Sequence, residues 1–504
     1  MPAEGRGFSS EPTSKVGKDR RLGNLATPTN VQRLQTALHA KAKEEPEFRF
    51  HALYDKIYRI DVLEYAYACC RANKGAPGID GVTFEGVETY GRERWLGELA
   101  KQLRDRTYRP EAVRRVYIPK PNGKLRPLGI PRLTDRVCQM AAMLVLEPIF
   151  EADMPSEQYA YRQNRNAHSA VREVHGLLVG GHRDVVDADL SGYYDTIPHV
   201  ELMKSVARRI VDRRVLHLLR MWLDAPVEEE DERRRKKRTT VNRDTKRGIP
   251  QGSPISPLLS NLYMRRFVLG WKHAGLDRRL GAQIVNYADD LVICCKGDGA
   301  HKALAAMRRM MNRLKLTVNE EKTRICRIPD EEFDFLGYTF GRRYSPKTGR
   351  AYIATRPSRK SIKRMTEAVR IQTGRDMGWL DAGEMVKQLN QKLGGWANYF
   401  KLGPVTPAYR FIDRYTTIRL RRWLCKKHKQ SNRGLTHYPD EHFYQHLGLI
   451  RLSMLPQNFP WAKARCSVRE PDALVAHVRF DERDVETGHG LDNEAPADER
   501  AGHR

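Results

Sequence analysis

Ile284–Ile293 (IVNYADDLVI) is apolar on both sides of a carboxylate pair, Asp289 and Asp290. Two short apolar runs meeting at a polar pair predict a β-hairpin with the acids at its tip. A solvated turn has no need of apolar segments before and behind it, so the pair belongs beside a core. About a hundred residues upstream, Asp184–Leu190 (DVVDADL) predicts another strand, and it carries Asp189 near its end.

Three carboxylates brought together repel one another unless cations neutralise them. An all-oxygen donor set, with no His or Cys at ligand spacing, favours Mg²⁺ or Mn²⁺ over zinc. Two such ions about 3.5–4 Å apart suit in-line displacement at phosphorus.

Further out, apolar spacing is helical from Val31 to Ala72, over 133–150, from Glu201 to Ile210 and from His301 to Leu316. Asn73–Gly81 is turn chemistry, and Val116–Pro119 predicts a short strand entering the loop KPNGK. Residues 228–238 set an acidic run beside a basic one, which reads as a solvated surface insertion. From Ser358 to Lys429 the pattern is helical and basic. Residues 1–30 read as a mobile leader, and 481–499, with eight acids and one Arg, as a disordered acidic tail.

The chain has 504 residues, 90 Lys plus Arg against 62 Asp plus Glu, and a formal net charge of +28. So large an excess repels itself unless a polyanion is the usual partner, which points to nucleic acid. No apolar run approaches the roughly 18–20 residues that span a bilayer, so no membrane role is expected. The eight cysteines form no C-x-x-C and no disulfide framework, consistent with a reducing, cytoplasmic setting.

At this point the chain resembles the reverse transcriptases encoded by group II introns. Tyr287–Asp290 (YADD) is similar to their Y-x-D-D box, and Asp187–His199 (DADLSGYYDTIPH) to their first palm motif. Arg247–Met264 (RGIPQGSPISPLLSNLYM) resembles their P-Q-G motif. Leu316–Thr323 and Phe333–Phe340 resemble the two later palm motifs, and Ile118–Pro131 and Asn73–Thr83 the fingers and N-terminal motifs. Seven motifs in order are far more specific than one box. Gln388–Gly403 and Phe411–Gln430 resemble the maturase, or thumb, region.

The resemblance implies an α+β right hand of fingers, palm and thumb, with a small antiparallel palm sheet and an all-helical thumb. It divides the chain into a leader (1–30), N-terminal extension and fingers (31–170), palm (171–345) and helical thumb (346–430). A basic extension (431–466) suited to DNA and an acidic tail (467–504) follow. Asp189, Asp289 and Asp290, with the backbone of Leu190, would hold two Mg²⁺. Lys120 and Arg126 would grip the incoming triphosphate. Tyr194 would crowd a ribose 2′-OH, Gln251 would pack near the template and incoming base pair, and Lys322 would donate a proton to pyrophosphate. Ser191 stands where the family often carries Lys.

Arg419, Arg421, Arg422, Lys426 and Lys427, interleaved with Tyr415 and Trp423, form the footprint of a structured-RNA binder. The implied partners are intron RNA, an RNA template, a DNA primer or target and deoxynucleotides. The implied function is RNA-directed DNA synthesis joined to splicing and intron mobility. A splicing factor with a vestigial polymerase and a domesticated reverse transcriptase are the rival readings. With no C-x-x-C after Gln430, no second-strand DNA nicking is expected.

Overall fold

The computed structural model describes residues 25–119, 125–230, 235–430 and 434–455. Its strands are β1 (Val113–Pro119), β2 (Leu125–Ile130), β3 (Asp184–Ala188), β4 (Val227–Glu230), β5 (Lys236–Thr239) and β6 (Ala282–Tyr287). They continue with β7 (Asp290–Cys295), β8 (Arg324–Arg327), β9 (Phe333–Phe335), β10 (Tyr338–Tyr344) and β11 (Ala351–Pro357). Three small sheets result, in the orders β2-β1-β4-β5, β6-β7-β3-β8 and β11-β10-β9. With many helices around them, they make a mixed α/β fold of the kind the sequence predicts.

In the central sheet β6-β7-β3-β8 every pairing is antiparallel. Side chains alternate between faces, and here both faces are buried. Val186, Ile284, Leu291 and Ile293 share one core with Phe267, Trp271, Met307 and Met311, from helices Ser256–His273 and Ala300–Arg313. Val185, Val285, Val292 and Cys294 point into a second core with Val171 and Val174 of helix Ala167–Val179. This double burial is why IVNYADDLVI is nearly continuous in apolar residues rather than alternating. Asn166 starts the helix Ala167–Val179 by accepting from Ser169 N at 2.9 Å.

Helix Leu133–Glu151 is buried along almost its whole length and shares the first core with helices Thr29–Glu44 and Ile60–Ala72. Helices Arg359–Gln372, Ala382–Tyr399 and Thr406–Lys427 enclose a third core, with Val369, Leu389, Leu393, Ile412 and Leu420 inside. Ser358 and Asp381 cap the first two of these helices. Buried Asp413 accepts Leu452 N and Ser453 N at 2.8 and 2.9 Å and so fastens the chain beyond the third.

The expected solvated surface insertion at 228–238 is exposed at Glu230 and over residues 235–238, but its described residues form strands and not a loop. Residues 227–230 pair in parallel with β1 and antiparallel with β5, extending the outer sheet to four strands. The acidic strand lies against the basic one, with Glu228 opposite Arg238, Glu229 opposite Lys237 and Glu230 opposite Lys236. Glu228 is buried and accepts from Arg238 at 2.7 Å, which holds its carboxyl below the usual range. Opposite charges facing across strands stabilise the pair, so the runs that suggested solvent are a pairing code.

The described residues up to Arg343 and from Ile353 form one compact unit. Tyr344–Tyr352 falls in a second, where Gly349 N donates to Ser345 O at 2.8 Å. No described helix is long and apolar enough to cross a membrane. The leader residues 1–24, the KPNGK loop with Lys120, and everything after Leu455, including the acidic tail, lie outside the described residues.

Candidate active site

The hairpin register pairs Tyr287 with Asp290 and leaves Ala288 and Asp289 as a two-residue turn. Ala288 has φ +57°, a left-handed conformation that costs a residue with a Cβ roughly 1–2 kcal/mol. Asn286 supports it from beneath. Only 1% exposed, it donates through Nδ2 to Ala288 O at 2.9 Å and Asp290 O at 3.2 Å. Asp289 therefore projects at the turn and Asp290 opens β7.

Beside the hairpin, β3 ends at Ala188. Beyond it, Asn319 N donates to Asp189 O at 2.8 Å, and Ser191 N to Thr317 O at 2.9 Å. Leu190 between them faces Val318, so its own N–H and C=O point away from that segment. The Asp189 carboxylate accepts from Lys322 Nζ at 2.9 Å and Asn319 Nδ2 at 3.0 Å.

The carboxylates feel one another. Burial first, and then the charges of Asp289, Asp189 and Asp187, push Asp290 up to about 7, against an opposing pull from Arg126. Asp187, two residues before Asp189 in β3, is pushed up to about 6, mainly by burial. The donor set is hard oxygen throughout and electrostatically frustrated, which suits a divalent cation. Among the described residues no three His, Cys, Asp or Glu side chains converge closely enough to grip an ion. Asp189 is turned instead toward Lys322 and Asn319.

Other expected residues gather around this point. Tyr194 O accepts from Ile249 N at 2.8 Å, and its phenol lies beside Tyr161 OH at 3.4 Å and Ser260 Oγ at 3.5 Å. Burial and the nearby Tyr161 and Asp289 raise that phenol well above its ordinary range. Its neighbour Tyr193 is the core aromatic: it is buried and donates to Ser260 O at 2.6 Å. Gln251 O accepts from Gly129 N at 2.6 Å, which docks the P-Q-G turn on β2, the strand of exposed Arg126. Gly252, at φ +111°, sits so close that a Cβ would lie 2.7 Å from Gly129 O.

In the helical region, the five expected RNA-binding residues divide. Arg421 donates to Tyr438 O at 2.8 Å, pairs with Asp440 and lies over the Phe443 ring, so its guanidinium holds the fold together. Arg419 and Lys427 donate to backbone carbonyls of the loop 373–380, while Arg422 and Lys426 are exposed. Asn286, Asn319, Asp187 and Tyr161 were not singled out from the sequence. The visible trace of Asn286 was a polar residue inside an otherwise apolar strand.

Residues 118–340 match the family model "Reverse transcriptase (RNA-dependent DNA polymerase)", and residues 362–438 match "Group II intron, maturase-specific domain". The chain is 34% identical over 373 residues to Protein YkfC of Escherichia coli, covering 66% of this chain and 93% of that one. Over 280 residues it is 31% identical to the Group II intron-encoded protein LtrA of Lactococcus lactis. It belongs to the group II intron-encoded reverse transcriptases. A polymerase module and a maturase module follow one another in this reverse transcriptase, and its enzyme class is RNA-directed DNA polymerase. The match covers 55% of this chain but 43% of LtrA, less than half that protein's length. A Putative COX1/OXI3 intron 1 protein of Saccharomyces cerevisiae is 25% identical over 385 residues, 66% of this chain and 44% of that one.

Proposed function

We propose that this protein copies RNA into DNA at Asp189, Asp289 and Asp290, and that its helical region binds group II intron RNA to assist splicing and mobility. The observation that carries the first part is electrostatic. Segments a hundred residues apart bring carboxylates to one lip of the central sheet, where Asp290 feels both of the others. In this reading residues 31–170 supply an N-terminal extension and fingers, 171–345 the palm, and 346–430 the thumb.

The three carboxylates and the Leu190 carbonyl are the groups that would hold Mg²⁺. When bound, the metal supplies charge neutralisation at the attacking 3′-oxygen and the leaving pyrophosphate. Arg126, whose charge reaches Asp290, would bind the triphosphate through its planar fork. Lys120 would act with it. The Tyr194 ring, which feels the charge of Asp289, would crowd a 2′-OH, favouring deoxynucleotides. Gln251, on the turn docked to β2, would line the base-pair pocket. Lys322 lies at Asp189 and would pass a proton to pyrophosphate.

The test is primer extension. With Mg²⁺ and an RNA template the protein should lengthen a DNA primer, and Asp289→Ala should abolish extension while RNA affinity stays nearly unchanged. Extension by that variant at a comparable rate would put the chemistry elsewhere. Failure of the wild type to extend, with RNA bound, would favour the vestigial-polymerase reading.

A further inference from the structure

Residues 157–162 run between two elements of the site and are fastened to both. On one side Asn286 N donates to Glu157 O at 2.8 Å and Tyr159 N to Asn286 O at 3.0 Å, which ties the segment to β6 of the hairpin. On the other, Gln158 Nε2 donates to Asn261 O at 3.0 Å and Asn261 Nδ2 to Ala160 O at 2.7 Å, which ties it to helix Ser256–His273. Gln158 and Asn261 are buried, so water does not compete for these bonds. Arg162 then donates to Glu151 and to Gln158 O, each at 2.8 Å.

Tyr161 stands between these anchors, and its backbone is unfavourable. Its φ is +55°, in the left-handed region that a Cβ resists. Glycine would adopt it freely, yet the residue is tyrosine. Packing does not account for the ring. Tyr159 turns into the second core, whereas Tyr161 belongs to none of the three and is 47% exposed. A strained residue held in place by the bonds around it, with its side chain outside the core, marks a functional position.

The Tyr161 hydroxyl lies at the site, where it accepts from Tyr194 OH at 3.4 Å. The other neighbour of that phenol, Ser260 Oγ, is 3.5 Å away and already donates to Pro257 O at 2.9 Å. Tyr161 is thus the nearer acceptor for the Tyr194 proton. Both spacings are long for a pair of hydroxyls, as contacts at a site often are before substrate closes it. Burial, and after it the nearby Tyr161, raises the phenol of Tyr287, so Tyr161 is felt from the hairpin as well.

We propose that Tyr161 is a positioning residue of the sugar gate, whose hydroxyl receives that of Tyr194 and fixes where the Tyr194 ring stops against a ribose 2′-OH. The inference rests on the reading of Tyr194 as that gate, and it adds the residue that aims it. Without the Tyr161 hydroxyl the gating ring is freer to yield, and a ribonucleotide enters more easily.

The experiment is single-nucleotide kinetics with Mg²⁺ on an RNA template and DNA primer, comparing a deoxynucleotide with its ribonucleotide. Wild type, Tyr161→Phe, Tyr194→Phe and the double variant are measured. Phenylalanine keeps the ring and removes only the hydroxyl, so melting curves matching wild type are expected. Tyr161→Phe should lower the preference for the deoxynucleotide about threefold to tenfold, the worth of one hydrogen bond, mainly through a smaller ribonucleotide KM. Tyr194→Phe should lower it by a similar factor, and the double variant by no more than either, because both changes remove the same bond. Unchanged preference in Tyr161→Phe, or losses that multiply in the double variant, overturns the inference. Tyr194→Ala separates it from the reading beneath. If that variant admits ribonucleotides while Tyr161→Phe does not, the gate stands and the aiming role falls. If it discriminates like wild type, the gate falls and the inference with it.

Discussion

Asn286 is the polar exception in a strand whose other inward residues are apolar, and the hairpin tip depends on it. Removing its amide takes one donor from Ala288 O and one from Asp290 O and stops offsetting the left-handed turn. Asn286→Ala should destabilise the protein by about 1–3 kcal/mol in denaturant titration and slow primer extension by displacing Asp289 and Asp290. Unchanged stability and rate would show that the turn holds itself. Tyr194 gives a second test. Tyr194→Ala should raise ribonucleotide incorporation relative to deoxynucleotide in single-nucleotide kinetics, and unaltered sugar discrimination would leave the ring a packing role only. The acids were legible in the sequence because apolar flanks marked them. Asn286 was not, because its purpose appears only once Ala288 adopts φ +57°.

Through two histidines, helix Ala167–Val179 is tied to the end of helix Ala382–Tyr399 and to strand β11. His168 Nε2 donates to Tyr399 O at 2.6 Å and His175 Nε2 to Ile353 O at 3.1 Å. Burial holds both rings below their ordinary value of 6.5. Groups depressed in this way bind protons more readily in the unfolded chain, so stability is complete above 6.5 and declines as pH falls through that value toward the folded pKa values. Denaturation midpoints should drop on acidification across this window, and drop less in His168→Gln/His175→Gln; identical pH dependence would assign it to other groups. The hairpin was readable from the apolar runs on both sides of its acids, and helix Leu133–Glu151 from helical spacing. The pair β4 and β5 was not. A run of like charge resembles a solvated loop until an oppositely charged run and a third strand, β1, are known to lie beside it.

At the scale of the molecule, the chain carries a formal charge of +28, and among the described residues the three cores are apolar, with Arg136 and Arg209 buried exceptions among the basic side chains. The sequence after Arg479 carries a local surplus of acid. Deleting it should leave primer extension intact and tighten general RNA binding, as read by filter binding at fixed salt; loss of extension would give that segment a catalytic role. The outer sheet also bears on how the protein behaves when concentrated. Among the described residues its outer strands are β2, on which the P-Q-G turn docks at Gly129, and β5. β5 presents Lys236, Lys237 and Arg238, and β2 carries Arg126 and Pro127, whose nitrogen has no hydrogen to give. Two copies approaching margin to margin would meet like charges on one side and a missing donor on the other. The sheet that bears the proposed triphosphate-gripping residue Arg126 thus presents outer strands poorly suited to pairing with a second copy of itself.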